Sequence, residues 1–299
     1  MSARLTAVYR VRSDARSIDA RAQAIAVEQS VEMPLAAIDD RSILSDIVGH
    51  VDGIEDRGDG VFDVRIGLAT ATIGDDAGQL LNMLFGNTSL HDDVMLHDIE
   101  IPAELARCFG GPRHGIDGLR RRVEARGRAL TCSALKPQGL SAARLAELAE
   151  RFARGGLDFV KDDHGLADQA YSRFADRVQA CAEATRKAAS ATGHATRYVP
   201  SLSGDLDLMR AQIRIAHEAG LDTVMLAPML AGFATVQTVV REFPDLAFFA
   251  HPSMGGAARI APDLLIGRLF RLLGADAVVF PNYGGRFGYA PNTLSLIHI

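Results

Sequence analysis

Cysteine is scarce and unpaired in this sequence: Cys108, Cys132 and Cys181 are odd in number, and none stands in a CxxC spacing. That excludes a disulfide framework and a cysteine-built zinc site, and it fits a reducing, cytoplasmic compartment. The N-terminal stretch MSARLTAVYRVRSDARS lacks the apolar run of a secretory signal peptide. No uninterrupted apolar stretch is long enough to suggest a transmembrane helix, so no membrane partner is expected. A basic surplus is missing too. The 32 Lys and Arg are outnumbered by 37 Asp and Glu, a net charge of -5, which argues against a nucleic-acid partner. Arginine clusters only locally, at Arg120-Arg121-Arg122, which reads as a solvated helix face.

What is present is an ordinary globular balance, 48% hydrophobic and 23% charged over 299 residues, enough for a sizeable core. Two rhythms divide the chain. Up to about residue 100, Leu5–Val11 alternates as a strand and a helix follows around Ala20–Gln29. Strand-like runs over Ile43–Val51 and Val61–Ile66 come next, then a helix near Ala77–Phe85 and a strand near Asp93–Ile101. Strands grouped with a few helices indicate a small α+β domain.

From Leu130 strand and helix alternate. Strands are expected at Leu130–Leu135, Leu157–Val160, Thr196–Val199, Asp222–Leu226, Ala247–Phe249 and Ala277–Phe280. The intervening helices are a Ser141-capped one, then Gln169–Thr192, Leu206–Ala219, Val236–Phe243 and Pro262–Leu273. Repeated βα units imply a parallel sheet with right-handed crossovers, either an open doubly wound sheet or a (β/α)₈ barrel. No GxGxxG follows the first of these strands, which disfavours a dinucleotide enzyme. A barrel needs eight such strands and six are visible, so a barrel reading carries the expectation of a truncated C-terminus.

Parallel βα folds place their chemistry at the carboxyl ends of the strands. Those ends carry Lys136-Pro137-Gln138, then Lys161-Asp162-Asp163-His164, Ser201 with Ser203, His251-Pro252-Ser253, and Asn282 followed by Gly284-Gly285-Arg286. Asp162 reads as a loop or N-cap carboxylate. His91-Asp92-Asp93 with His97-Asp98 superficially resembles a metal cluster. It runs along a strand, whose successive residues face opposite ways, and is therefore taken as structural.

The stretch Gly155-Gly156-Leu157-Asp158-Phe159-Val160-Lys161-Asp162-Asp163-His164 resembles the metal-site motif GGxDFxKxDE of the RuBisCO large-subunit superfamily. Leu135-Lys136-Pro137, Phe85-Gly86-Asn87, His97–Pro102, Gly110-Gly111-Pro112 and His114-Gly115-Ile116 are similar to other segments of that family, so the likeness spans nearly the whole chain. It implies an N-terminal α+β, ferredoxin-like domain over 1–125. A (β/α)₈ TIM barrel follows from 126 to 299, incomplete at about six units. It also implies that Lys161 reacts with CO₂ to form a carbamate. Burial beside other cations would favour the neutral amine which that reaction requires. Lys161, Asp163 and His164 would then bind Mg²⁺. Lys136 would transfer protons, and His251 would contact a sugar phosphate. Glu28 and Asn87 would reach the neighbouring subunit's barrel, which implies a homodimer with shared active sites acting on a phosphorylated small molecule.

The departures from the family shape the functional expectation. His164 stands where the family has Glu, and an imidazole suits Mn²⁺, Fe²⁺ or Zn²⁺ better than Mg²⁺. Gln138 replaces a second lysine, Ser201 an asparagine, and Arg286 the lysine that stabilises added CO₂ in carboxylating enzymes. CO₂ fixation is therefore not expected, and the pattern resembles that of RuBisCO-like proteins (form IV). The substrate-binding set reads as Glu28, Asn87, Gln138, Ser201 and Asn282; the catalytic set as Lys136, Lys161, His251 and Arg286. With Arg286 holding a substrate carboxylate, the expected reaction is decarboxylation or C–C cleavage of an oxo-isoapionate-4-phosphate-type β-keto acid. The alternatives are an isomerase or enolase acting on a methylthio-sugar phosphate, and an inactive truncated relative.

Overall fold

The computed structural model describes residues 3–280, and the expected strand-six residues Asn282 and Arg286 lie outside that range. Chain contacts divide the described residues into two units. One runs to Gly111 and takes up Met254–Leu272; the other is Pro112–Ser253 with Leu273–Phe280.

The first unit is built on four antiparallel strands, β1 (Arg4–Arg12), β2 (His50–Gly58), β3 (Val61–Ala69) and β4 (Val94–Glu100), in the order β2-β3-β1-β4. That is the ferredoxin-like order. β1 leads into α1 (Ile18–Glu28), a short α2 (Arg41–Asp46) precedes β2, and α3 (Ala77–Phe85) follows β3. Leu5, Ala7, Tyr9 and Val11 of the alternating β1 are fully buried, as the two-residue strand period requires of a core-facing edge. One expected strand is different. The first four residues of the run Ile43–Val51 fall inside α2, capped by Asp40, whose carboxylate accepts the Ser42 amide at 2.8 Å; the strand begins only at His50. The N-cap captures the apolar run as a helical turn, leaving Ile43 and Leu44 partly exposed. The His91–Asp98 cluster is structural. Asp93 takes both forks of Arg21 at 2.8 and 2.9 Å, Asp98 pairs with Arg268, and His97 Nε2 lies 2.9 Å from the Arg10 guanidinium.

The second unit follows α4 (Ala103–Phe109) and opens with α5 (Gly115–Arg122). It then repeats strand and helix: β5 (Cys132–Leu135), α6 (Ala142–Arg154), β6 (Phe159–Asp162), α7 (Phe174–Thr192), β7 (Arg197–Val199), α8 (Leu206–Glu218), β8 (Thr223–Leu226), α9 (Pro228–Ala231), α10 (Phe233–Glu242), β9 (Ala247–Ala250) and β10 (Ala277–Val278). All pairings are parallel, in two runs, β5-β6-β7 and β8-β9-β10. An isolated bridge between Ser201 and Met225 links β7 to β8, so six consecutive strands form one side of a barrel. The segment Met254–Leu272, which belongs to the first unit, carries a π-helix over Asp263–Leu269.

Local chemistry sets the boundaries. Ser141 caps α6, accepting the Arg144 amide at 3.4 Å. α7 starts at Phe174 rather than Gln169 because the Asp168 carboxylate takes the Phe174 amide at 2.6 Å. At the start of β6 the buried Asp158 accepts both Arg128 forks at 2.6 Å and the Thr131 amide at 2.8 Å, and it is held at about 2, below the ordinary aspartate range, by Arg128 first. The arginine run of α5 is not wholly solvated. Arg122, only 13% exposed, donates to the Gly118 and Asp245 carbonyls. Phe159, Val199, Met225, Ala247 and Phe249 pack with Leu119, Val123 and Ala125, and the two phenyl rings lie 5.2 Å apart. Burying one such phenyl contributes roughly 1.5–3 kcal/mol. Among the described residues no helix is long and apolar enough to cross a membrane.

Candidate active site

The face of β6 that contributes Phe159 to this core presents Lys161 two residues later, because side chains alternate along a strand. The same period turns Asp162 to the opposite face, and Asp163 follows as the strand ends. Asp162 is therefore no loop carboxylate. It lies in the strand and is fully buried. Arg177 of α7 donates to Oδ2 at 3.0 Å, the Tyr198 hydroxyl of β7 to Oδ1 at 2.7 Å, and the Ser201 amide to Oδ2 at 3.1 Å.

On the rim, Lys161 is nearly buried and its Nζ donates to the Asp162 carbonyl at 2.9 Å. Burial pushes its ammonium below the usual lysine range, against the pull of the neighbouring carboxylates. Lys136, at the end of β5, is half exposed and donates to Asp163 Oδ1 at 2.8 Å. Burial alone would raise Asp163, but the Lys136 bond and the charges of Lys136, His164 and Lys161 overcome it and hold the carboxyl below its ordinary value. His164 Nδ1 stands 3.2 Å from the same Oδ1.

The His164 ring stacks face to face on His251, with centroids 4.2 Å apart and planes 9° from parallel. His251 Nδ1 receives the Ser253 amide at 3.2 Å and lies 2.8 Å from Ser253 Oγ. An amide can only donate, so Nδ1 is the acceptor and the neutral ring carries its proton on Nε2. Burial, followed by His164 and Lys161, pushes His251 down to about 4, consistent with that neutral tautomer.

Four sequence-derived residues are thus in direct contact: Lys136, Asp163 and His164 through one carboxylate oxygen, and His164 with His251 through the stack; Lys161 lies on the same strand end, bonded to the Asp162 carbonyl. Gln138 stays at the exposed rim, with its amide lying over Gly165. A Cβ at Gly165 would come 1.6 Å from Gln138 Nε2. Ser201 is buried at the end of β7, with its amide spent on Asp162. Glu28 and Asn87 belong to the first unit, where Asn87 Nδ2 donates to Glu28 Oε1 at 3.0 Å. Asn282 and Arg286 fall outside the described residues. Arg177 and Tyr198 were not singled out in the sequence; the signal that points to them is the alternation along 161–163, which demands a partner for a carboxylate facing the helices.

Among the described residues no three His, Cys, Asp or Glu side chains already form a metal-holding group. Asp163 and His164 bring one carboxylate oxygen and one imidazole nitrogen to within 3.2 Å of each other, donors of the kind that divalent ions take.

Residues 115–289 match the family profile "Ribulose bisphosphate carboxylase large chain, catalytic domain". The chain is 60% identical over 298 residues to the 5-methylthioribulose-1-phosphate isomerase of Rhodospirillum rubrum, covering 99% of this chain and 80% of that protein. It is 36% identical over 231 residues to the 2,3-diketo-5-methylthiopentyl-1-phosphate enolase of Geobacillus kaustophilus, covering 74% of this chain and 56% of that one. The crystal structure of a Rubisco-like protein from Rhodopseudomonas palustris superposes with a TM-score of 0.95 at 50% identity, over 99% of this chain and 82% of that chain. On profile, identity and fold together, this chain belongs to the RuBisCO large-chain family, among its RuBisCO-like proteins.

Proposed function

We propose that this chain is an isomerase of a methylthio-pentulose phosphate, working by removal and return of a proton next to the sugar carbonyl. The observation that carries this reading is the 60% identity, over 99% of the chain, to a protein named for that reaction. It favours the isomerase alternative over the decarboxylation expected from Arg286.

The strand-end cluster supports the same chemistry. Lys161, as a carbamate, would join Asp163 and His164 in holding Mg²⁺, or Mn²⁺ given the imidazole donor. A divalent ion there would polarise the substrate carbonyl and stabilise the anion that deprotonation creates. Lys136, half exposed and paired with Asp163, would hold and return the proton. His251, kept neutral, presents its Nε2–H as a hydrogen-bond donor without adding a charge. Ser201 and Gln138 offer neutral contacts where carboxylating relatives have amide and cationic groups. The Glu28–Asn87 pair would complete the partner subunit's site in a homodimer.

The test is purified protein with 5-methylthioribulose-1-phosphate and Mg²⁺ or Mn²⁺, followed by ¹H and ³¹P NMR. A new methylthio-pentulose phosphate that fails to form with Lys161→Ala is the expected result. An enol tautomer in its place, or turnover only of acid-sugar phosphates with CO₂ release, would refute the isomerase reading. Mixing Lys161→Ala with Asn87→Ala protein should restore part of the activity if sites are shared across a dimer.

A further inference from the structure

Behind the rim, Asp162, Arg177 and Tyr198 form a fully buried knot on the helix-facing side of β6. The guanidinium of Arg177 spends itself entirely inside it. Nε goes to Asp162 Oδ2 at 3.0 Å, Nη1 to the Ser172 carbonyl at 2.8 Å, and Nη2 to the Ala167 carbonyl at 2.8 Å. Three site segments are therefore tied to the Asp162–Arg177 pair. Lys161 hangs from the Asp162 carbonyl, the 163–172 loop bearing Asp163 and His164 is pinned at Ala167 and Ser172, and the Ser201 amide rests on the Asp162 carboxylate. None of the three knot residues faces the rim, so none touches substrate.

A buried ion pair of this kind adds little stability over packed apolar side chains of the same volume; what it provides is fixed geometry. We propose that Arg177, acting through Asp162 and Tyr198, is a positioning residue that sets the spacing of Lys161 against Asp163 and His164. The inference rests on the reading of those three as a metal-holding set, and it predicts that site geometry and stability respond separately to the knot.

The experiment replaces the charged pair with a neutral, space-filling one, Asp162→Asn/Arg177→Met, alongside the milder Tyr198→Phe. Thermal stability, Mn²⁺ affinity in bicarbonate by electron paramagnetic resonance, and kcat with KM are measured on the full chain. The expected result is a melting temperature near wild type, Mn²⁺ affinity weakened about tenfold or more, and kcat reduced at least as much with KM little changed; Tyr198→Phe moves the same way by less. A folded double variant that keeps Mn²⁺ affinity and kcat within about twofold overturns the proposal. If the double variant does not fold, Tyr198→Phe decides by whether Mn²⁺ affinity falls or holds. Failure of the isomerase reading looks different, as wild-type protein that binds Mn²⁺ and turns nothing over. Should wild type bind no Mn²⁺, cyanate labelling decides without metal or substrate. The chain's lysines are Lys136, Lys161 and Lys187, and exposed Lys187 is an internal standard. A several-fold rise of the Lys161 to Lys187 ratio in either variant supports the knot, and an unchanged ratio removes it.

Discussion

Replacing Lys136 with methionine should separate chemistry from stability. Among the described residues Lys136, itself 53% exposed, pairs with Asp163, whose side chain is only 8% exposed, at 2.8 Å. An exposed pair is worth roughly 0–1 kcal/mol and a buried one costs more to break; with only the lysine side exposed, Lys161 and His164 still beside Asp163, and methionine keeping most of the aliphatic stem, the loss should be about 1 kcal/mol, a melting-temperature shift of a few degrees. As the proton-transfer group, the same ammonium is worth about 10²–10⁴ in rate. The loss also reaches Asp163. Its largest favourable contact disappears, so the carboxyl rises toward its ordinary value, with Lys161 and His164 still holding part of the depression. Carboxylate-dependent Mn²⁺ binding should then be lost at a higher pH than in wild type as the solution is acidified. The assay is kcat by NMR in D₂O, where deuterium incorporation next to the carbonyl reports proton removal directly, with melting temperature and Mn²⁺ titrations from pH 8 down to 5. If deuterium exchange stays within about threefold of wild type while the protein remains folded, Lys136 is not the proton carrier.

Gly165→Ala would push a methyl group to within 1.6 Å of Gln138 Nε2, and that amide is a mobile rim side chain. Stability should change by no more than about 0.5 kcal/mol, whereas kcat/KM should fall about 3–10-fold, the value of one neutral hydrogen bond; an unchanged kcat/KM would show that Gln138 does not touch substrate. His164→Glu restores the family's carboxylate and should raise the Mg²⁺ over Mn²⁺ activity ratio by about tenfold; a ratio unmoved would place His164 outside the metal set. Asp158 is fully buried with its carboxyl held at about 2 against an ordinary 3.8, so it contributes about 2 kcal/mol that is present above pH 3.8 and fades as pH falls through 2. The stability difference between wild type and Asp158→Asn in urea should therefore be full at pH 6 and visibly smaller at pH 3, and a difference independent of pH would contradict the assignment.

The clustering of polar residues at the strand ends was legible because its signal is local. Lys161 and Asp163 belong to a contiguous motif, and Lys136 and His251 each follow a short apolar run whose β character needs no tertiary information. The alternation of β1 and the Ser141 cap were readable for the same reason. What escaped notice depends on which face a residue meets. Asp162 looked like a loop carboxylate because it sits among polar neighbours. Only the strand's two-residue period, carried one step past Val160, turns it toward a helix whose partner arginine lies fifteen residues away. Arg122 likewise sits in a run that reads as solvated, and it is buried by carbonyls from Gly118 and the distant Asp245. In the run Ile43–Val51 a single side chain, Asp40, decided between strand and helix. The residues that present the rim chemistry are thus written plainly in the chain, while those that hold it in place are written as ordinary charged residues. Their role exists only once β6, α7 and β7 are packed together.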